Sequence, residues 1–175
     1  VLILGIDPGL TGGLGLVAED GHYVGAWPML TMLKNKSQRE VNAAWLAETI
    51  HACLIATNVS VIELKRRSIS DFDGKPMGFV VLERQRPFPD QYSQTSFSLG
   101  DSTGIVRGIC AAYAIGLVYT DPHVWKKWAR LPGKDKEAAR AMAIRLYPYA
   151  PLSRKKDHGV AEALLIARWF ALKGT

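Results

Sequence analysis

The sequence holds 175 residues, 48% of them hydrophobic and 22% charged, a balance that suits one soluble domain with a real core. No apolar run approaches the roughly 20 residues that cross a bilayer and no signal-peptide pattern opens the sequence, so no membrane partner is expected. The formal net charge is +6, which by itself fits a solvated basic surface as well as a polyanion-binding one.

Residues 1–7 (VLILGID) predict a buried strand that ends on a carboxylate, Asp7, before Pro8 and Gly9 turn the chain away. Residues 13–18 predict a second strand, 19–21 (EDG) a hairpin turn and 22–27 a third strand. Residues 28–38 read as a polar, basic loop carrying Lys34 and Lys36. Residues 39–57 place Val41, Trp45, Ile50, Cys53 and Leu54 at helical spacing, with Ser37 as the expected N-cap. Cys53 and the other cysteine, Cys110, fit small buried hydrophobes rather than a disulfide framework, in keeping with a cytoplasm-like compartment.

Two β-like runs follow, 59–64 (VSVIEL) and 78–85 (GFVVLERQ), separated by a basic, turn-rich segment that holds Lys65, Arg66 and Arg67. Residues 96–116 predict a helix in which Gly100, Gly104 and Gly108 form one stripe, a pattern that permits a neighbour's backbone to come close. A short strand at 117–121, a short helix at 122–130, an amphipathic helix at 133–148 and a last helix at 157–172 complete the chain. Three antiparallel strands followed by helix–strand alternation predict a mixed α/β sheet with helices on both faces, the order of the ribonuclease H-like fold, here with five strands.

Four carboxylates stand out against this background. Asp7 and Glu83 end strands, while Asp157 and Glu162 lie at the start of the last helix. Buried carboxylates are costly unless paired, hydrogen-bonded or bound to a metal. If these four converge over the sheet, they form an oxygen-rich cage suited to Mg²⁺ or Mn²⁺ and to two-metal phosphodiester hydrolysis. Singly, each has an ordinary reading: Asp-Pro-Gly is a common turn, Asp157 suits a helix N-cap, and Glu63 competes with Glu83 by periodicity alone. Asp157 and Glu162 are five residues apart, about 140° around a helix, so Asp157 acts from the helix end if it acts at all. His158 and Glu162 share a face; His158 is a candidate metal ligand or proton shuttle, or an exposed helix-end histidine.

Taken together the motifs are specific. ILGIDPGLTGGLGLV resembles the first strand pair of RuvC-type Holliday junction resolvases. LERQRPFP, followed 17 residues after Glu83 by GDSTGIVRG, resembles that family's catalytic-glutamate strand and the glycine-bearing helix beyond it. SRKKDHGVAEALLIA resembles its C-terminal acidic motif, in the form found in plant chloroplast resolvases and related phage or bacterial proteins. The resemblance spans most of the chain apart from the segment around 59–76, which reads as an inserted hairpin within one domain covering residues 1–175.

By position, the resemblance makes Asp7, Glu83, Asp157 and Glu162 the catalytic and metal-binding acids, and the distance from Glu83 to the glycine-bearing helix prefers it to Glu63. It implies a homodimer that resolves four-way DNA junctions by paired symmetric nicks, with two Mg²⁺ or Mn²⁺ ions per active site. Classical bacterial members have Asp where Glu162 stands, and their other C-terminal acid falls where this chain has Gly159, which leaves the roles of Asp157 and His158 open. Arg84, Arg86, Lys126, Lys127, Arg154, Lys155 and Lys156 flank the acids and are candidate phosphate contacts. Phe88 is a candidate for stacking on an unpaired base or for burial under its Pro-rich loop. Trp125 and Trp128 read as core anchors. The resemblance also sets the expected location: cytoplasmic or nucleoid-associated in a bacterium or phage, organellar in a plant.

Three other readings remain open at this stage. The GIDPGLTGG turn is also similar to the first phosphate loop of the actin, Hsp70 and sugar-kinase superfamily, but that fold needs a second half and a second acidic-glycine motif. A non-catalytic nucleic-acid-binding module would keep the basic groups without reason to keep four acids beside bound phosphates. Another ribonuclease H-like nuclease, acting on flaps or RNA–DNA hybrids, shares the same acids.

Overall fold

The structure is a computed structural model and describes residues 1–55, 78–86, 92–131, 133 and 136–173. The run at 59–64 with Glu63, the inserted hairpin at 59–76 and Phe88 lie outside the described residues.

A five-stranded sheet forms the centre, in the order β3-β2-β1-β6-β7. β1 (Leu2–Asp7), β2 (Gly13–Ala18) and β3 (Tyr23–Pro28) make the antiparallel meander. β6 (Gly78–Glu83) and β7 (Gly116–Thr120) continue the sheet in parallel with β1, as strands joined by helical crossovers must. This is the mixed ribonuclease H-like sheet expected from the order of elements.

Strand alternation sorts the side chains onto two faces. Leu4, Ile6, Leu14, Leu16, Val80 and Leu82 pack with α1 (Ala43–Leu54) and α2 (Ser93–Ala112). Ile3, Val17 and Val81 pack with α3 (Pro122–Trp128), α4 (Lys136–Leu146) and α5 (His158–Lys173). The same parity sends Asp7, two residues on from Gly5, and Glu83, two on from Val81, toward the α5 face at the ends of two adjacent parallel strands.

Glycine lets α5 lie directly on the strands. A Cβ at Gly15 would stand 2.5 Å from the backbone nitrogen of Leu164, and one at Gly13 would stand 2.7 Å from Cα of Val160. Gly159 returns the contact: its own Cβ would meet Gly12 Cα at 2.6 Å, and the two glycines form an isolated parallel bridge. These bare surfaces account for Gly13 and Gly15, whereas Gly12 is bare for its own loop, where a Cβ would stand 2.1 Å from the Asp7 carbonyl oxygen.

Several expectations are corrected. Residues 28–38 are not all loop, because Thr31–Leu33 (β4) and Arg39–Val41 (β5) pair as a small antiparallel hairpin. Three-residue strands are too short to show a period. The hairpin takes the first residues assigned to the following helix, so α1 starts later and is capped by Asn42, whose Oδ1 accepts from the Trp45 N–H at 3.0 Å; Ser37 instead donates its backbone N–H to Asn35 Oδ1. Among the described residues the stripe of Gly100, Gly104 and Gly108 receives no neighbour, since a Cβ at any of the three meets nothing within 4 Å. The last helix is preceded by a separate 3₁₀ turn, Lys155–Asp157, which gives Asp157 a different setting from the helix start proposed for it.

Candidate active site

Three acids from three elements gather at one end of the sheet. Asp7 comes from β1, Glu83 from β6 and Glu162 from the second turn of α5, seated by the glycine contacts just described. Glu83 and Glu162 are only 7% and 5% exposed, so their surroundings, not bulk water, must balance their charge.

The electrostatics tie the three together. Burial, then the nearby Glu162 charge, push the Asp7 carboxyl up to about 6, against the pull of the Gly9 N–H and of the Lys136 and His158 charges. Burial and the Asp7 charge push Glu83 up to about 7; a hydrogen bond from Trp125 opposes this, Glu162 adds to it and Lys126 again opposes it. Burial and mutual repulsion outweigh the positive charges beside this trio.

Each acid is nevertheless held. Gly9 N–H donates to Asp7 Oδ1 at 3.2 Å, so the Pro8-Gly9 turn orients the carboxylate as well as ending the strand. The Trp125 indole N–H donates to Glu83 Oε1 at 2.8 Å, and the Gln85 amide donates to its Oε2 at 3.2 Å. Trp125 is thus the fully buried core anchor expected of it, and it also fixes the Glu83 carboxylate. Lys126 Nζ lies 3.0 Å from Glu162 Oε1 and 5.1 Å over the Trp125 ring. The contact is an ion pair only, for this buried Oε1 has no hydrogen-bond partner among the described residues.

Asp157 is placed differently. It is 3% exposed and taken up by Arg154, whose backbone N–H and Nη2 donate to Oδ2 and Oδ1, each at 2.8 Å. Burial alone would raise this carboxyl, but the Arg154 hydrogen bonds and charge outweigh it and hold it below the usual range. Asp157 is therefore engaged by Arg154, and Arg154 serves it as partner rather than standing free for phosphate. His158 joins the trio's surroundings: its Nε2 lies 3.5 Å from Lys136 Nζ, and both charges act on Asp7.

Lys136 was not among the residues singled out in the sequence. A lysine that opens an amphipathic helix is an ordinary solvent-facing residue, so its place beside Asp7 left no signal. The remaining basic candidates form an exposed rim. Arg84 sits over Tyr119, its Cζ 5.5 Å from the ring centroid, and Arg86 pairs with Asp121 at 3.1 Å. Lys127, Lys155 and Lys156 are exposed.

Among the described residues, no three carboxylate, imidazole or thiol groups are arranged to hold one metal ion as they stand. Donor type and charge still fit a hard divalent cation. The three acids offer oxygen ligands, two of them are raised by burial and by neighbouring acidic charge, and a buried Glu162 oxygen has no hydrogen-bond partner among the described residues.

No family model and no curated protein matches the sequence. Among solved structures, the chain is similar to T. thermophilus RuvC in complex with Holliday junction substrate, with a TM-score of 0.55 and 22% identity over 100% of this chain and 98% of that one. It is equally similar to the Thermus thermophilus RuvC structure, with a TM-score of 0.54 and 24% identity over the same shares. The chain has the RuvC-like form of the ribonuclease H-like fold.

Proposed function

We propose that this chain is a metal-dependent, structure-selective DNA endonuclease that resolves four-way junctions, acting as a homodimer that places paired symmetric nicks in recombination and repair. The observation that carries the reading is the trio of Asp7, Glu83 and Glu162, brought from β1, β6 and α5 to one buried end of a RuvC-like sheet. The KKDHG opening of the last acidic motif supports a place near the plant chloroplast resolvases.

Asp7, Glu83 and Glu162 would hold the cations, with Asp157 joining them on release from Arg154. Mg²⁺ or Mn²⁺, in a pair, supplies an activated water and stabilises the leaving oxygen of a phosphodiester. Trp125 and Gly9 keep the Glu83 and Asp7 carboxylates aimed, so little reorganisation is needed when substrate arrives. Lys126 balances Glu162 before binding and is near enough to turn to a phosphate oxygen afterwards. His158, held near Lys136, offers a ring nitrogen to accept or return a proton at the reacting oxygen. Arg84, Arg86, Lys127, Lys155 and Lys156 hold the flanking phosphates, a contribution that weakens steeply with salt.

The test is cleavage of matched four-way junction, flap, RNA–DNA hybrid and linear duplex in Mg²⁺. The junction is expected to be cut in preference to the others, and Asp7→Asn or Glu83→Gln to abolish cutting while junction binding persists. Full activity in either variant overturns the assignment of the site; loss in Glu63→Gln but not Glu83→Gln moves it to the other glutamate. Preference for the hybrid or flap makes the chain another nuclease of this fold. Binding without cleavage under any divalent cation identifies a binding module, and ATP hydrolysis without cleavage a kinase-like protein.

A further inference from the structure

Among the described residues, Glu83 is the acid of the trio with a hydrogen-bond donor on both oxygens, and the two donors differ in kind. The Gln85 amide, 3.2 Å from Oε2, is a partly buried side chain on a flexible stem and is free to swing away. The Trp125 indole, 2.8 Å from Oε1, is fully buried. It belongs to the same core cluster as Val81, Leu165 and Ile166, and a close-packed core leaves a ring of this size no room to turn.

The sheet sets Trp125 in place. Glu83 pairs in register with Thr120 at the end of β7, and the Arg84 N–H donates to Thr120 O at 2.8 Å. Pro122, pre-shaped for a first helical position, starts α3 two residues later, so Trp125 comes round one turn into the helix beside the Glu83 carboxylate. The donor is thus fixed by the strand pairing that also fixes the acid.

This arrangement limits what Glu83 offers a cation. Oε1 is committed to a donor that a cation cannot push aside, whereas Oε2 is committed to one that it can. Asp7 shows the same division, with Oδ1 taken by the Gly9 backbone N–H at 3.2 Å. Carboxylates that present one oxygen each suit Mg²⁺, which is small, demands near-octahedral geometry and keeps several waters. Ca²⁺ gathers about six to eight oxygens and often takes both from one carboxylate.

We propose that Trp125 is the positioning residue that makes Glu83 a one-oxygen ligand, and that it thereby sets the preference of the site for small divalent cations over large ones. Trp125 acts through the Glu83 carboxylate, not on the cation itself. The inference rests on the metal-dependent reading of the Asp7 site and deepens it by naming the residue that discriminates between cations.

The test reads cation binding, not cutting. Mg²⁺ and Ca²⁺ are each titrated against bound Mn²⁺ in the full chain, with free Mn²⁺ followed by electron paramagnetic resonance. Trp125→Phe keeps an apolar ring and loses the donor. Because a smaller ring in a packed core can unfold the chain, a second protein carries Trp125→benzothienylalanine, which has sulfur in place of the indole N–H and nearly the same shape. In both, Ca²⁺ should gain on Mg²⁺ by roughly tenfold in relative affinity. The indole N–H signal of Trp125 in the NMR spectrum, assigned by its loss in either variant, should shift as Mg²⁺ binds and stay slow to exchange with solvent. An unchanged ratio of Ca²⁺ to Mg²⁺ affinity in the folded benzothienylalanine protein overturns the proposal and leaves the metal reading standing. So does an indole N–H that begins to exchange rapidly once Mg²⁺ is bound, for the bond to Oε1 has then broken. No Mn²⁺ bound by the unsubstituted protein, with or without junction DNA, overturns the metal reading together with the proposal.

Discussion

On one face of the sheet, helix meets strand backbone to backbone; on the other, side chain to side chain. Glycines appear at regular spacing in both regions, with opposite meanings. Gly13 and Gly15 of β2, with Gly159 of α5, are bare so that α5 can lie against the strands, and that closeness carries Glu162 into reach of Asp7. Gly100, Gly104 and Gly108 of α2 line a surface that no described residue occupies. A glycine stripe in a sequence records that something small is tolerated there; only the fold tells whether closeness is required.

The sharpest way to break this comparison is Gly15→Ala. The added Cβ would stand 2.5 Å from the Leu164 backbone nitrogen, and a helix backbone cannot rotate away as a side chain can. A loss of about 3 kcal/mol or more is expected, read by urea denaturation, and the cutting proposed for the Asp7 site should fall as Glu162 is displaced. A stability within error of the unsubstituted protein would mean that α5 does not depend on this contact.

A second, intermediate effect follows from what the close face assembles. Asp7 and Glu83 are raised to about 6 and about 7, so between the unfolded value near 4 and these values the folded chain binds more protons than the unfolded one. Their contribution to stability is present in full below pH about 4 and is lost as pH rises through about 6 to 7. Without divalent cation, thermal stability should therefore drop from pH 5 to pH 8 by an amount on the order of a few kcal/mol. Mg²⁺ or Mn²⁺ at pH 8 should restore part of it, and Glu83→Gln should flatten the profile. Asp157 works in the opposite sense: lowered by Arg154, it stabilises above its unfolded value and that help disappears as pH falls through its lower folded value. A flat profile from pH 5 to 8 would show that the trio is not coupled as described.

The smallest effect belongs to the open face. Gly104→Ala, in the middle of α2 with free space around it, should stabilise by up to about 1 kcal/mol through helix propensity. Destabilisation, most of all one that varies with protein concentration, would mean that a second copy of the chain covers this face in solution.

Much of the fold was legible because the strands carry alternation long enough to read, and the order of strands and helices leaves few topologies. Asp7 and Glu83 were legible too, as charges that end otherwise apolar strands; their shared facing follows from parity once β1 and β6 are known to be parallel neighbours. Asp157 was legible as an acid but not as Arg154's partner, because a capping arrangement in a 3₁₀ turn looks the same in sequence as the start of a helix. Trp125 was visible as a core residue, while its indole bond to Glu83 depends on α3 crossing the end of β6.

The bridge between Gly12 and Gly159 also has a consequence in time. It joins a turn made early in synthesis to a helix made late, closing a loop that spans most of the chain, and contacts of such long range form slowly. A chain still emerging from the ribosome has Asp7 and Glu83 but no Glu162 beside them. The Asp7–Glu83–Glu162 cluster is thereby left incomplete until the last helix docks.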